Sequence, residues 1–355
     1  MMMPSPPLDQ PARGRSTRRL FLRQAGGAGL ALLAAQPRGI GQSLPAAQPT
    51  GTSPAPVVDP PATTRATTKS SGAVSKSIVA DLINPMIISQ YKIHEPALAD
   101  MIRIGVCLAT GQDSSATAWR SLLRPEDVVG IKFDEVGQEE LGTTEVFAGQ
   151  LIQSLETAGV ERKRIVLIDV PNLLVKKLGT QPRRFGWRTA ETPLGNDKER
   201  LAAVLDQVTA IVNVPFLKTH NLCGISGCLL NASIPFVRRQ TLYLRDGGAP
   251  HIADIISLAE ILPKLRLHIV NGLRGVFDKG PEARPEGMWP HTGVLVSKDP
   301  VAADQMSVDI INERRLQAKL RPIGDFLGRV AHIRAAAERG LGTDDQDYIT
   351  RIRPS

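Results

Sequence analysis

Apolar residues recur along this chain in two patterns, as short continuous runs and as longer stretches with helical spacing. The short runs predict buried strands at 127–133, 164–169, 208–214, 266–270 and 294–296. The stretches with helical spacing predict helices at 96–109, 113–123, 144–158, 252–262, 300–314 and 329–339. The order strand, helix, strand over 127–169 is typical of a βαβ unit with parallel strands. We therefore expect an α/β fold, with a mainly parallel sheet and helices on both faces, in a single domain.

The segments between these elements differ in composition. Residues 41–77 are rich in Pro, Ala, Thr and Ser, so they offer little surface to bury and predict a disordered linker. The α/β domain should then occupy 78–355. Residues 171–200 are polar and irregular, which suits an insertion over a site, and 271–290 are dense in Gly and Pro, which predicts a long loop.

The positive charge of the chain is concentrated at its N-terminus. The whole chain has 355 residues and a net charge of +8, but residues 1–40 contain six Arg and one Asp. The remainder is nearly balanced, so the charge does not favour a protein that binds nucleic acid.

A twin-arginine pattern, Thr17 to Arg23 (TRRLFLR), lies within this basic segment. The weakly hydrophobic segment that follows, Ala25 to Ala35, is too short to span a bilayer of about 30 Å as a helix. We therefore predict that 1–40 is an export signal, that the twin-arginine translocase is a partner, and that the protein is periplasmic or otherwise exported. An uncleaved membrane tether and a plain basic tail are the alternatives. We expect no transmembrane span in the mature domain.

Polar residues follow the first four predicted strands where a parallel sheet would bind a ligand, at its carboxyl edge. In chain order they are Lys132 and Asp134, then Asp169, then Lys218 and His220, then Asn271, with Asp278 on the loop beyond. Each of them alone is better explained as an ordinary capping or surface group. Their recurrence after four strands favours one shared site.

The stretch from Ile211 to Asn231 (IVNVPFLKTHNLCGISGCLLN) is central to this hypothesis. It begins as an apolar strand, breaks at a proline, and then presents Lys218 and His220. We take His220, Lys218 and Lys132 as catalytic candidates, with the histidine as general base or metal ligand and the lysines holding an anionic group. The ligand-binding candidates are Asp134, Asp169, Asn231, Asn271 and Asp278.

His251 and Asp254 are the candidates for a metal site, because residues three apart at a helix start share a face. With Asp134 they would form a nitrogen and oxygen set suited to Zn, Mn or Fe. The alternative is a solvated histidine beside an aspartate that complements the helix dipole. Asp299 reads as a helix N-cap, whereas Asp304 has no evident structural role.

The chain contains three cysteines, too few for a disulfide scaffold or a cysteine-ligated iron–sulfur cluster. Cys223 and Cys228 enclose Gly-Ile-Ser-Gly and could form a small disulfide, but short loops strain disulfide geometry. We favour two small buried residues in a tight turn.

Six segments in order resemble the family called domain of unknown function 362. They are TAWRSLLRPEDVVGIKFD, NVPFLKTHNLCGISGCLLN, HIADI, LHIVNGLRGVFDKGP, DPVAADQMSVDII and AAERGLGTDDQDYI. The resemblance covers nearly all of 95–350, and exported members with a twin-arginine signal are familiar in this family. Some relatives carry ferredoxin-like clusters, but this chain lacks such a cysteine set, so we do not expect an iron–sulfur cluster.

Three positions depart from the family's pattern. Asp134 stands in place of Asn, Leu230 in place of Lys, and Asn271 in place of Asp. These departures weaken the case for retained catalysis. We expect an exported envelope protein of unassigned activity that binds a small anionic ligand, a cofactor or a divalent metal at the carboxyl edge, whether or not it is an enzyme. The alternative is a non-catalytic binding or assembly protein for an envelope or redox partner.

Overall fold

The computed structural model describes residues 76–325 and 330–354. The predicted export signal, 1–40, and all but the end of the predicted linker, 41–77, lie outside the described residues. The strands are β1 Ser77–Ile83, β2 Ile88–Ser89, β3 Lys92–Ile93, β4 Val129–Phe133, β5 Ile165–Ile168, β6 Thr192–Leu194, β7 Asp197–Glu199, β8 Ala210–Val214, β9 Phe216–His220, β10 Gly224–Ile225, β11 Leu265–Val276, β12 Met288–Trp289, β13 Gly293–Ser297 and β14 Ile349–Ile352. The α-helices are α1 Glu95–Thr110, α2 Ser115–Leu122, α3 Gln138–Leu141, α4 Thr144–Thr157, α5 Asn172–Leu178, α6 Cys228–Asn231, α7 Gln240–Tyr243, α8 His251–Ile256, α9 Pro300–Gln317 and α10 Ala331–Glu338.

The central sheet has the strand order β14-β1-β13-β11-β8-β4-β5. The half formed by β11, β8, β4 and β5 is parallel throughout. β13 runs antiparallel to both β11 and β1, and β14 pairs parallel with β1 at the far edge. β9 pairs with the end of β11 and carries β10 beside it. The parallel half therefore brings the ends of several strands to one edge, as a ligand site at that edge requires.

Alternate residues of the parallel strands enter two separate cores, because successive side chains of a strand point to opposite faces. Ile165 and Leu167 of β5 pack on the face covered by α1, α2 and α4. Val166 and Ile168 belong to the core on the opposite face, which also contains apolar residues of α8, α9 and α10. The expected α/β fold, with a mainly parallel sheet and helices on both faces, is confirmed.

Two strands, β1 and β14, were not predicted. In β1, the charged Asp81 in the middle of the strand obscures the apolar pattern. Asp81 is fully buried, and its Oδ2 accepts hydrogen bonds from Arg351 and Arg353 at 2.6 Å each. These partners come from the other end of the chain. A buried carboxylate is tolerated when it is paired, but local sequence patterns do not show such a partner.

The prediction of a long loop at 271–290 is wrong for residues 271–276, because β11 continues to Val276. The glycines that favoured a loop make room for neighbouring groups. A Cβ atom on Gly275 would lie 2.4 Å from the ring of Trp289 in β12. β11 extends this far because the chain resumes as β9 directly after Pro215 and pairs with it.

Two other segments differ from the predictions. The irregular segment at 171–200 contains α5 and the β6–β7 hairpin. The helix predicted at 252–262 ends at Ile256, although Ile261 beyond it is still buried and so continues the apolar spacing. Within the described residues, no helix is both long and apolar enough to cross a membrane.

Candidate functional site

A row of polar side chains crosses three neighbouring strands inside the apolar core. Lys132 of β4 pairs in register with Asn213 of β8, which pairs in turn with His268 of β11. We call these three residues the polar row. All three are at most 2 % exposed. They are neighbours because parallel strands in register place equivalent positions side by side on one face.

The ammonium group of Lys132 is fully buried and uses all three of its N–H donors. It donates to the carbonyl of Phe133 at 2.7 Å and to Oδ1 of Asn231 at 2.8 Å, and it pairs with Oδ2 of Asp169 at 2.9 Å. The other oxygen of Asp169 accepts from Arg183 at 2.6 Å. Burying a charge is costly unless it is paired and hydrogen-bonded, and this arrangement satisfies both conditions.

Asn231 joins α6 to the polar row. Its Nδ2 donates to Oδ1 of Asn213 at 2.8 Å, and Nδ2 of Asn213 donates to the carbonyl of Cys228 and lies 3.0 Å from Nδ1 of His268. Burial lowers the pKa of His268 to about 3, so the imidazole is neutral and adds no second cation to the row. Asn231 therefore acts as a structural link, and its 2 % exposure leaves little of it for a ligand.

Asp304 holds α6 in place. Its carboxyl oxygens accept from the backbone N–H groups of Cys228 at 2.5 Å and Leu229 at 3.0 Å. Gly227 is required beside it, since a Cβ there would lie 2.1 Å from Oδ1. Complete burial raises the pKa of Asp304 to about 7, although the two N–H groups act in the opposite direction. Asp299 is the N-cap of α9, as the sequence predicts.

Lys218 of β9 forms a second buried ion pair at the same edge. Its Nζ lies 3.0 Å from Oδ1 of Asp134 and donates to the carbonyl of Val136 at 2.6 Å. Gln138 connects the two ion pairs, because its Nε2 donates to the carbonyls of Asp134 at 2.6 Å and Asp169 at 2.7 Å. Four of the strand-end residues therefore lie close together as predicted: Lys132, Asp134, Asp169 and Lys218.

His220 is held in one orientation by the turn that follows β9. Its Nδ1 accepts from the backbone N–H groups of Leu222 and Cys223, both at 3.2 Å. An acceptor Nδ1 places the proton of the neutral ring on Nε2. Burial, and then the charge of Lys218, lower the pKa of His220 to about 4. In this geometry the ring presents a donor, whereas a general base or a metal ligand would need a free lone pair on Nε2.

A cleft of about 830 Å³ opens where β4 and β5 end. It lies between the segments 135–145 and 169–177, and we call it the carboxyl-edge cleft. Asp169 and Gln138 both line it, so the cleft shares two residues with the ion-pair network. Its volume is within the range of pockets that hold small molecules, about 300–1,000 Å³.

Asn271 and Asp278 are bound to other parts of the chain. Nδ2 of Asn271 donates to Oγ1 of Thr143 at 3.0 Å, which fixes the start of α4 at the cleft. Asp278 pairs with Arg315 of α9 at 3.0 Å. Asn271 therefore stabilises this edge of the sheet by holding the start of α4.

His251 and Asp254 face different partners. His251 packs edge-on against Tyr243, with 5.6 Å between ring centroids, and Asp254 pairs with Arg339. Asp134 is paired with Lys218. Among the residues that the structure describes, no three His, Cys, Asp or Glu side chains form a group that could hold a metal ion. The metal site stays a prediction.

Cys223 and Cys228 are both free and buried. Burial raises the pKa of the Cys223 thiol to about 12, so it is protonated at neutral pH. This agrees with the interpretation of small buried residues in a turn.

Asn213, His268, Arg183 and Gln138 belong to the site but were not predicted. Two of them carried a usable signal, since Asn213 (AIVNV) and His268 (RLHIV) are single polar residues inside apolar strands. A polar residue at such a position requires a buried partner. Arg183 and Gln138 lie in polar segments, where nothing in the local pattern distinguishes them.

Residues 175–309 match the model of a domain of unknown function, DUF362. The match supports the resemblance inferred from the motifs over the middle of the chain. It includes Lys218, His220 and Asn231 and begins after Lys132, Asp134 and Asp169. No curated protein matches the chain.

Replacing Lys132 with Met should lower the free energy of unfolding by about 3–5 kcal/mol, because Asp169 and Asn231 lose a buried partner. Chemical denaturation measures this. The control is Lys163→Met at a 78 % exposed lysine side chain paired with Glu161, where we expect a loss of no more than about 1 kcal/mol. Equal losses in the two variants would contradict the central role of Lys132.

His220 should show a single neutral tautomer with its proton on Nε2, and it should stay neutral from pH 8 to about pH 5. Long-range ¹H–¹⁵N NMR spectra of the imidazoles measure both properties, and His220→Gln assigns the signal by removing it. A proton on Nδ1, or a titration near pH 6.5, would show that the turn does not hold the ring as described.

Proposed function

We propose that this protein binds a small polar ligand in the carboxyl-edge cleft. The observation that carries the proposal is the position of the cleft, which opens at the ends of two parallel strands and is lined by the ion-paired Asp169. Ligands of parallel α/β sheets bind at such an edge. Because Asp169 is paired with two cations, Lys132 and Arg183, this part of the lining would be held in one position.

The charge of the cleft favours a ligand with a positive group. Glu135, Glu139 and Glu140 line it and are exposed, and they form no ion pairs within the described residues. Glu145 also lines it and is paired with Lys177. Lys132 and Lys218, which we expected to hold an anion, are already paired with carboxylates. The proposed ligand therefore differs from the small anionic ligand that was one of the three expected from the sequence, beside a cofactor and a divalent metal.

The departures from the family's pattern favour binding over catalysis. Asn271 donates its amide hydrogen to Thr143, which an ionised Asp could not do. Leu230, within α6, is partly buried and packs against the apolar core. Both residues thus have structural roles in this chain, at positions where the family carries charged side chains.

A second candidate function is catalysis at His220, with an anionic substrate. Among the described residues, Nε2 of His220 has no hydrogen-bond partner, and the buried Nζ of Lys218 makes two hydrogen bonds and so has a third N–H to donate. The two side chains lie on one face of β9, two residues apart. Such donors suit an oxyanion that develops on a substrate.

We also propose that the protein is exported through the twin-arginine pathway. The supporting observation is the sequence TRRLFLR, followed by a short and weakly hydrophobic segment.

Ligand binding is tested by a thermal-shift screen of small primary amines and polyamines. We expect ligands that stabilise the wild type, by about 2.7 kcal/mol at a hundredfold excess over Kd. The effect should be lost in the double variant Glu139→Gln, Glu140→Gln and kept in Glu313→Gln, which changes an exposed glutamate of α9. If a ligand still raises the melting temperature of the double variant, it binds outside the carboxyl-edge cleft. If no amine raises the melting temperature of the wild type, the proposal of a cationic ligand is contradicted.

Export is tested by cell fractionation of the full chain. The double variant Arg18→Lys, Arg19→Lys should remain in the cytoplasm, whereas Arg13→Lys, Arg15→Lys should be exported like the wild type. The two double variants have the same charge and differ only in the twin-arginine pair. Equal export of both would contradict the proposal.

A further inference from the structure

A second concave surface, with a volume of about 610 Å³, is lined by the β2–β3 hairpin and β12, and we call it the hairpin groove. Among the described residues, Arg274 of β11 is the one charged side chain in its lining, and no lining residue is shared with the carboxyl-edge cleft. The apolar and aromatic residues of the lining are Pro85, Ile88, Tyr91, Met288, Trp289 and Pro290. Pockets for small molecules have this composition, an apolar lining with a few polar groups that orient the ligand.

The guanidinium group of Arg274 is held in place but is not neutralised. Its Nη1 donates to the carbonyl of Leu141 at 2.7 Å, and its Nη2 donates to the carbonyl of Tyr91 at 3.1 Å. Gly142 leaves room for it, since a Cβ atom there would lie 3.2 Å from Nη1. Within the described part of the chain, no carboxylate forms an ion pair with this half-buried side chain.

Arg274 therefore has unused hydrogen-bond donors. A guanidinium group carries five N–H donors, and two of them bind the carbonyls, so three remain. One of the three is Nε–H, which is not enclosed by the protein, whereas Nε of Arg266 is buried without a partner. A cation without a counter-ion in a mostly apolar groove favours an anion there.

The turn of the β2–β3 hairpin supplies an independent observation. Gln90 and Tyr91 are its two loop residues, and both have a left-handed backbone, with φ of 47° and 65°. Such turns favour Gly and Asn, because other side chains are strained in this conformation. Tyr91 is nevertheless 92 % exposed, so its ring adds no packing that would offset the strain. A large aromatic side chain at a strained and exposed position indicates a contact with another molecule.

We propose that the hairpin groove binds a small monocarboxylate with an apolar body, such as an arylalkanoic acid. The carboxylate pairs with the fork of Arg274, which matches carboxylate geometry. The apolar body lies along Met288 and Pro290, and the ring of Tyr91 covers it. A single cation in an apolar lining favours one charge on the ligand, because a second charge would lose water without gaining a partner. This site is independent of the function proposed for the carboxyl-edge cleft.

Calorimetric titration of the whole protein with 3-phenylpropionate tests the proposal. Acetate carries the same charge without the apolar body, and 3-phenylpropanamide carries the body without the charge. We expect 3-phenylpropionate to bind about tenfold more tightly than either, because each of the others makes only one of the two kinds of contact. If the amide binds as tightly as the acid, or if the acid does not bind, the proposal is overturned.

The variant Arg274→Gln should weaken the binding of 3-phenylpropionate at least about tenfold and leave that of the amide unchanged. Arg334→Gln, at a 79 % exposed arginine side chain, is the matched control and should change neither. The double variant Glu139→Gln, Glu140→Gln should not weaken the acid. If it does, the acid binds in the carboxyl-edge cleft, which overturns the hairpin groove as its site.

The variant Tyr91→Gly separates binding from folding. It relieves the left-handed backbone and keeps the carbonyl that Arg274 holds, so the melting temperature should stay unchanged or rise. The affinity for 3-phenylpropionate should fall about fivefold, because the ring no longer covers the ligand. Tyr348→Ala, at a 43 % exposed tyrosine, is the matched control and should leave the affinity unchanged. An unchanged affinity in Tyr91→Gly would overturn the proposal.

Discussion

The burial of the Lys132 ammonium group is the constraint on which this structure depends. A charge inside a parallel sheet needs acceptors for all its protons, and no single neighbouring element supplies them. They come from the end of β4 itself, from Asp169 after β5, and from Asn231 of α6. The positions of these elements are therefore tied to one another by a single atom, Nζ of Lys132.

The need to pair buried polar groups also shapes the structure on both sides of Lys132. Towards the core, α6 has only four residues and would not form alone, so Asp304 of α9 caps it and Gly227 makes the space. Towards solvent, Asp169 joins the buried lysine to Arg183 and lines the cleft. The cleft is thus built on strand ends that the core already holds rigid, which is what precise ligand binding requires.

The sequence predicted the sheet and the convergence of its polar ends well, because apolar runs and the direction of parallel strands are local and general properties. The sequence could not show that the buried lysines pair with the aspartates at the neighbouring strand ends. Lys132 and Asn231 are 99 positions apart, and Lys218 and Asp134 are 84 apart, so spacing carries no information on the pairing. For the same reason the lysines looked like an anion site, and Asp304 lacked a role until its two backbone partners were known. The start of α4 was predicted, but the hydrogen bond that Thr143 accepts there comes from Asn271, 128 positions later, which local patterns do not show.

The pairing of β1 with β14 has a consequence for when the chain can fold. β1 lies between β13 and β14, and its buried Asp81 is neutralised by arginines 270 and 272 positions later. During synthesis, that carboxylate and one edge of β1 must wait until residues 349–353 have left the ribosome. The first strand of the sheet is therefore completed by one of the last segments to be made, so this half of the sheet cannot close while the chain is still short.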